Sequence, residues 1–106
     1  MIDLKNYNKV IAVTRHNSTP AWLLKKGIEV DEVIPHLDVS AVSKGDFVVG
    51  NLPVQMAYDV IKKGATYCNL SLDMPFELRG KELTLEEIER CEPKLEIFDV
   101  SLRDEI

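Results

Sequence analysis

The chain has 106 residues, of which 45% are hydrophobic, and a formal net charge of −5. This length predicts one domain, residues 1–106, with one modest core. No apolar run approaches the roughly 20 residues of a membrane helix, and the polar N-terminus lacks the apolar stretch of a signal peptide. We therefore expect a cytoplasmic protein that makes no membrane contact.

The negative charge belongs to the last part of the sequence. Residues 1–76 carry 8 basic and 8 acidic side chains, whereas residues 77–106 carry 5 basic and 10 acidic ones. Duplex DNA or RNA requires a basic face, so duplex nucleic acid is not an expected partner. A small anion held by a few local cations remains compatible with this charge distribution. The acidic segment itself is also what a solvated helix face looks like.

Strands and helices alternate along the predicted chain. Apolar, β-branched runs predict strands at 9–14, 32–35, 46–50, 66–72 and 94–102, with 10–13 and 68–72 in the interior of the sheet. Helices are predicted after Ser18, from Pro53 to Lys63, and after the capping box of Thr84 and Glu87. This order predicts an α/β fold: a single Rossmann-like domain with a mostly parallel sheet and helices on both faces.

Polar side chains follow four of the predicted strands directly. They are Thr14 to Ser18 after the first strand, His36 and Asp38 after the second, Asn51 after the third, and Ser71 and Asp73 at the end of the fourth. In open α/β sheets, ligands bind in the crevice beyond the carboxyl ends of the strands. The pattern therefore predicts one ligand site at that edge.

The cluster after the first strand can bind an anion. It leads into a helix N-terminus, where free N–H groups and the helix dipole attract negative charge. Arg15 adds a fixed charge and a bidentate fork for phosphate, and His16 can donate or accept a proton near neutral pH. The same residues would equally suit a polar surface loop.

Two further clusters have a functional and a structural interpretation. Asn51 can cap the second helix or point its amide into the crevice. Ser71 and Asp73 share a strand face, while Arg79 and Lys81 flank a glycine in a loop that can fold over the site. These four residues are either a second phosphate clamp or part of a solvated loop.

The spacing of chemically active residues predicts no cofactor and no metal. There is no GxGxxG motif, no P-loop and no serine nucleophile elbow. Cys68 and Cys91 have no CxxC spacing, and His16 and His36 form neither an HxH nor an HExxH pair.

The order of several short motifs resembles a small CRISPR-associated family over about residues 10–100. The motifs are Val13-Thr14-Arg15-His16, Trp22-Leu23, His36-Leu37-Asp38, Gly45-Asp46 with Val48-Val49-Gly50, Leu52-Pro53-Val54, Leu70-Ser71-Leu72-Asp73, and Glu77 to Leu83 with its Arg79-Gly80-Lys81 block. The chain is similar to the short, single-domain ring nucleases of type III CRISPR systems, which open on the same Val-Thr-Arg-His motif.

This resemblance implies a fold like that of the CARF sensor domains, a homodimer, and cyclic tetra-adenylate as ligand. It also implies cleavage of the ring without a metal, by attack of a ribose 2′-hydroxyl on the neighbouring phosphate. Arg15 and His16 would then be catalytic. The ligand-binding residues would be Thr14, Asn17, Ser18, Asn51, Ser71, Asp73, Arg79 and Lys81. Two alternatives remain: a sensor or sponge that binds the ring without cleaving it, and an interaction module without a nucleotide ligand.

Overall fold

A computed structural model describes residues 3–106 and places five strands in one sheet. The strands are β1 (Val10–Val13), β2 (Glu32–Ile34), β3 (Phe47–Gly50), β4 (Thr66–Ser71) and β5 (Lys94–Phe98). The α-helices are α1 (Thr19–Lys25), α2 (Val54–Lys62) and α3 (Leu85–Arg90). Short 3₁₀ helices cover Leu4–Asn6, Val39–Ala41 and Phe76–Leu78. The predicted domain of 1–106 includes residues 1 and 2, which lie outside the described residues.

The strand order is β2-β1-β3-β4-β5, so β1 and β4 are interior strands, as predicted. The pairings of β1 with β2, β1 with β3, and β3 with β4 are parallel, whereas β5 runs antiparallel to β4. The sheet is therefore mixed. Three of its four strand pairings are parallel, in agreement with the predicted mostly parallel sheet, and the last pairing is antiparallel.

The connection that precedes β5 brings the chain back to the end of the sheet where β4 finishes. The helix in this connection, α3, has only six residues and is therefore about 9 Å long. This connection does not return the chain to the other end of the sheet, as the seven-residue α1 does before the parallel strand β2. The chain instead re-enters the sheet where it left it, and Lys94 pairs with Ser71.

Each face of the sheet carries its own core, and helices cover both faces, as predicted. On one face, Trp22 and Leu23 of α1 and Ile88 of α3 pack against alternate strand residues. On the other face, Ala57 and Val60 of α2 pack against the intervening ones. Such consecutive apolar strand residues are typical of strands that are buried on both sides.

The helix and strand ends differ from the predicted bounds by a few residues. The capping box of α3 is confirmed, since Thr84 Oγ1 accepts a bond from the Glu87 N–H and the Glu87 carboxylate accepts one from the Thr84 N–H. Strand β5 ends at Phe98 rather than at residue 102. None of the helices in residues 3–106 has the length and apolar character needed to cross a bilayer.

Candidate ligand-binding cleft

A cleft of about 560 Å³ opens beyond the carboxyl ends of the four parallel strands. Its lining residues come from the ends of all four strands and from the start of α2: residues 13–16, Thr19, 35–37, 50–53, Met56, Leu70, Leu72 and Met74. The chain leaves β1 toward β2 and returns to β3 on the other side of β1. A crevice at such a switch in strand order is the usual ligand site of open α/β sheets.

The charged and titratable residues of the cleft are Arg15, His16 and His36, and no acidic residue lines it. This is notable in a chain with 18 acidic residues. Within residues 3–106, the salt bridges join Lys9 to Glu32 and Lys25 to Glu89, so the Arg15 guanidinium has no carboxylate partner there. Its positive charge is therefore available to an anion.

The remaining wall of the cleft is largely apolar. Leu70 comes from the end of β4, Leu72 and Met74 from the loop after it, and Met56 from α2. Flexible methionine side chains and leucine side chains can pack against a flat aromatic ligand. The sequence reasoning missed these residues because it looked only for polar side chains after the strands.

The turn after β1 is held by its own hydrogen bonds. The Thr14 hydroxyl accepts a bond from the His16 N–H at 3.1 Å and is 3.1 Å from the Thr19 hydroxyl. The Leu83 N–H donates to Nδ1 of His16 at 3.4 Å. Thr14 and His16 both line the cleft, and Thr14 also has a structural role in fixing the turn.

The start of α1 offers fewer free donors than the sequence predicts. The Asn17 N–H donates to the Glu82 carboxylate at 2.7 Å, and the Ser18 hydroxyl donates to the Leu83 carbonyl. Asn17 and Ser18 do not line the cleft, and Ser18 makes no capping bond to α1. These two residues attach the 82–83 segment to the turn after β1.

The predicted second clamp lies outside the cleft. Ser71 accepts a bond from the Asn69 amide at 2.8 Å, Asp73 is exposed, and neither lines the cleft. Arg79 and Lys81 are exposed on either side of Gly80, whose φ is 77°. The bonds from Glu82 and Leu83 hold this loop against the start of α1, and its two cations do not reach the lining of the cleft.

Asn51 lines the cleft but does not cap α2. Its side-chain amide donates to the Leu70 carbonyl at 3.3 Å, and Pro53 occupies the N-cap position. The hydroxyl of Tyr67 accepts a bond from the Leu52 N–H at 2.9 Å and so supports the same loop from below. Burial raises the pKa of Tyr67 above its ordinary value. Tyr67 reads as an ordinary core residue in the sequence.

His36 is another residue whose role the sequence did not reveal. Its Nε2 atom lies 3.3 Å from Nη2 of Arg15, which follows the neighbouring strand β1. The position of a histidine directly after a strand was the available signal. The sequence does not show that Arg15 is its partner.

Residues 11–101 match a protein-family model, that of the family described as "Putative CRISPR-associated protein (Cas_VVA1548)". The match includes every residue that lines the cleft. The chain belongs to this family. No curated protein and no solved structure matched it.

The side chains of this CRISPR-associated protein form no cluster of three or more His, Cys, Asp or Glu residues that could hold a metal within residues 3–106. Both cysteines are buried in that part of the chain. The groups available to a ligand are therefore the Arg15 guanidinium, the two imidazoles and the polar atoms of residues 50–53.

Proposed function

We propose that this CRISPR-associated protein binds cyclic oligoadenylate, chiefly the four-adenosine ring, and cleaves it, which would switch off type III CRISPR signalling. One observation carries the proposal: the cleft holds an arginine without a carboxylate partner, two histidines and no acidic residue. Phosphates suit this positive rim, and adenine bases suit the apolar wall of Leu70, Leu72, Met56 and Met74.

The proposed reaction is that of a metal-independent phosphodiesterase. The ribose 2′-oxygen forms a bond to the neighbouring phosphorus, and the bond from phosphorus to the 5′-oxygen breaks. The 2′-hydroxyl loses a proton and the 5′-oxygen gains one, which leaves a 2′,3′-cyclic phosphate and a 5′-hydroxyl. The substrate supplies the nucleophile, so the protein has to hold the 2′-hydroxyl in line and stabilise charge on the phosphate. Arg15 and His16 are the residues that we assign to these tasks.

A homodimer with a Rossmann-like, CARF-related fold is part of this proposal. The parallel order β2-β1-β3-β4 supports that fold assignment. A cleft of about 560 Å³ falls in the range of sites for one small molecule, about 300–1,000 Å³. A ring of four nucleotides would extend beyond it. A two-fold dimer would place two copies of Arg15 and His16 around a ring that itself has two-fold symmetry.

One observation favours binding without rapid cleavage as the second candidate. The backbone N–H groups of His16, Asn17 and Thr19 already donate to Thr14, Glu82 and the His16 carbonyl, respectively. They are therefore not free to stabilise charge that develops on a phosphate, which is a large term in phosphoryl chemistry. A sponge would hold the ring with the same cleft.

Incubation with labelled cyclic tetra-adenylate, with and without EDTA, separates the candidates. We expect linear products that end in a 2′,3′-cyclic phosphate, formed at the same rate in EDTA. Ring that is retained uncut indicates the sponge. Ring that is neither cut nor retained refutes both and leaves an interaction module. Light scattering with and without the ring tests the dimer, which a monomer in both conditions would refute.

A further inference from the structure

We propose that the two histidines of the cleft act as neutral hydrogen-bonding groups in opposite tautomers. His36 uses Nε2 as an acceptor that positions Arg15, and His16 uses its Nε2–H as a donor to a phosphate oxygen of the ligand. The ligand part rests on the proposed function, whereas the tautomers follow from contacts within the protein.

The contact with Arg15 fixes the tautomer of His36. Nη2 of Arg15 lies 3.3 Å from Nε2 of His36. A guanidinium can only donate, so this nitrogen must accept and the neutral ring carries its proton on Nδ1. Arg15 is exposed and forms no salt bridge within residues 3–106, so His36 is the side chain that orients its guanidinium. We therefore assign His36 as a positioning residue for Arg15.

The contact with Leu83 fixes the tautomer of His16. The Leu83 N–H donates to Nδ1 at 3.4 Å, so this nitrogen accepts and the neutral ring carries its proton on Nε2. Protonation of Nδ1 would set two donors against each other and would weaken the attachment of the 82–83 segment. The bond from the His16 N–H to Thr14 holds the backbone at the same place. With Nδ1 engaged by Leu83, the donor that the His16 ring can offer a ligand is its Nε2–H.

This assignment divides the work within the proposed site. Arg15 brings the charge, His36 sets the direction of the guanidinium, and His16 adds a second donor beside it. A neutral imidazole is a poor acid but a good hydrogen-bond donor, and neutral histidines are known to stabilise developing negative charge in this way. The protons in the reaction then pass through substrate and solvent.

Nitrogen-15 NMR of the imidazole rings tests the tautomers without any ligand. At a pH where both rings are neutral, we expect the proton of His36 on Nδ1 and that of His16 on Nε2. In the Arg15→Ala variant, His36 should move toward the Nε2–H form that free imidazole side chains prefer, and His16 should not change. The proposal would be overturned if His36 of the wild-type protein carried its proton on Nε2. It would also be overturned if the nitrogen shifts of His36 were the same in the wild-type protein and in Arg15→Ala.

Cleavage rates test the positioning role. His36→Ala should slow cleavage about tenfold, as expected for the loss of a coupled neighbour, and His36→Gln should restore the rate to within about twofold because its amide oxygen can accept from Arg15. In an Arg15→Ala background, His36→Ala should have no further effect. Asp38→Ala is the control. Asp38 lies in the same segment, where its carboxylate accepts a hydrogen bond from the Ser40 N–H, and it does not line the cleft. Additive effects, or an equal loss in Asp38→Ala, would overturn the positioning role.

The donor role of His16 has its own pair of variants. A glutamine side chain keeps an N–H donor but cannot transfer a proton near neutral pH. His16→Gln should therefore stay within about tenfold of the wild-type rate, whereas His16→Ala should lose about a hundredfold. Equal losses in both variants would overturn the donor role. If the wild-type protein does not act on cyclic tetra-adenylate at all, the proposed function fails, and the NMR spectra still decide the tautomers.

Discussion

Replacing Arg15 by alanine should lower the rate of ring cleavage while leaving the free energy of unfolding almost unchanged. The side chain is exposed and makes no salt bridge within residues 3–106, so its loss should change the free energy of unfolding by no more than about 0.5 kcal/mol. In the proposed reaction the same loss removes a charge-assisted contact to the phosphate. That contact stabilises the transition state by about 3 kcal/mol, which corresponds to about a hundredfold in rate. Arg15→Lys should fall between the two, because it keeps the charge and loses the bidentate fork.

The assay is chromatographic separation of cyclic tetra-adenylate from its linear products, together with thermal unfolding of each variant. Arg90→Ala at the end of α3 is the matched control, since it removes the same side chain and the same charge at an exposed position that does not line the cleft. An Arg15→Ala variant that cleaves at close to the wild-type rate would refute the role given to Arg15. If His16→Ala also cleaves normally, the site is not at the end of β1, and Ser71, Asp73 and Arg79 become the candidates.

Four other predictions concern single positions. Gly50→Ala should lower the free energy of unfolding by about 1–3 kcal/mol in urea denaturation, because a Cβ there would lie 2.7 Å from the Val13 carbonyl oxygen; an unchanged midpoint would contradict this. Burial raises the pKa of the Cys68 thiol to about 11, so a thiol reagent should label it at neutral pH only after unfolding. The bonds with Thr84 lower the pKa of Glu87 below its ordinary 4.5. Glu87→Gln should therefore destabilise the protein above that pH, and the difference should vanish as the pH falls through the lowered pKa. Lys81 lies in the loop that is held outside the cleft, so Lys81→Ala should change ring binding by less than about twofold in titrations at two salt concentrations, and a larger, salt-dependent loss would contradict this.

The strands were predictable because each apolar run in the sequence indicates both where a strand lies in the chain and whether its two faces are buried. The β-branched residues from Val10 to Val13 fit only a strand that is covered on both faces, and the structure places that strand inside the sheet. The direction of β5 was not predictable from its own residues, because the same pattern suits either direction. It depends on where the connection after β4 brings the chain back to the sheet, and the order of the predicted elements does not show this.

The site was predictable in outline and not in its contacts. Thr14, Arg15, His16 and Asn51 meet in one cleft because parallel strands bring their carboxyl ends together. The hydrogen bond from the Asn17 N–H to the Glu82 carboxylate joins residues that are 65 positions apart, and no local sequence pattern predicts it. This bond accounts for the position of the 79–83 loop outside the cleft.

Mapping of backbone amide shifts by NMR during titration with cyclic tetra-adenylate tests most directly whether this cleft is the ligand site. We predict saturable shifts that are largest at residues 13–16, 35–37 and 50–53, and small shifts in α3 and β5. These shifts should be lost in Arg15→Ala and kept in Arg90→Ala. The assignment of the cleft to cyclic oligoadenylate would be contradicted if no amide shifted at the highest concentration of cyclic tetra-adenylate, or if the shifts were confined to α3 and β5.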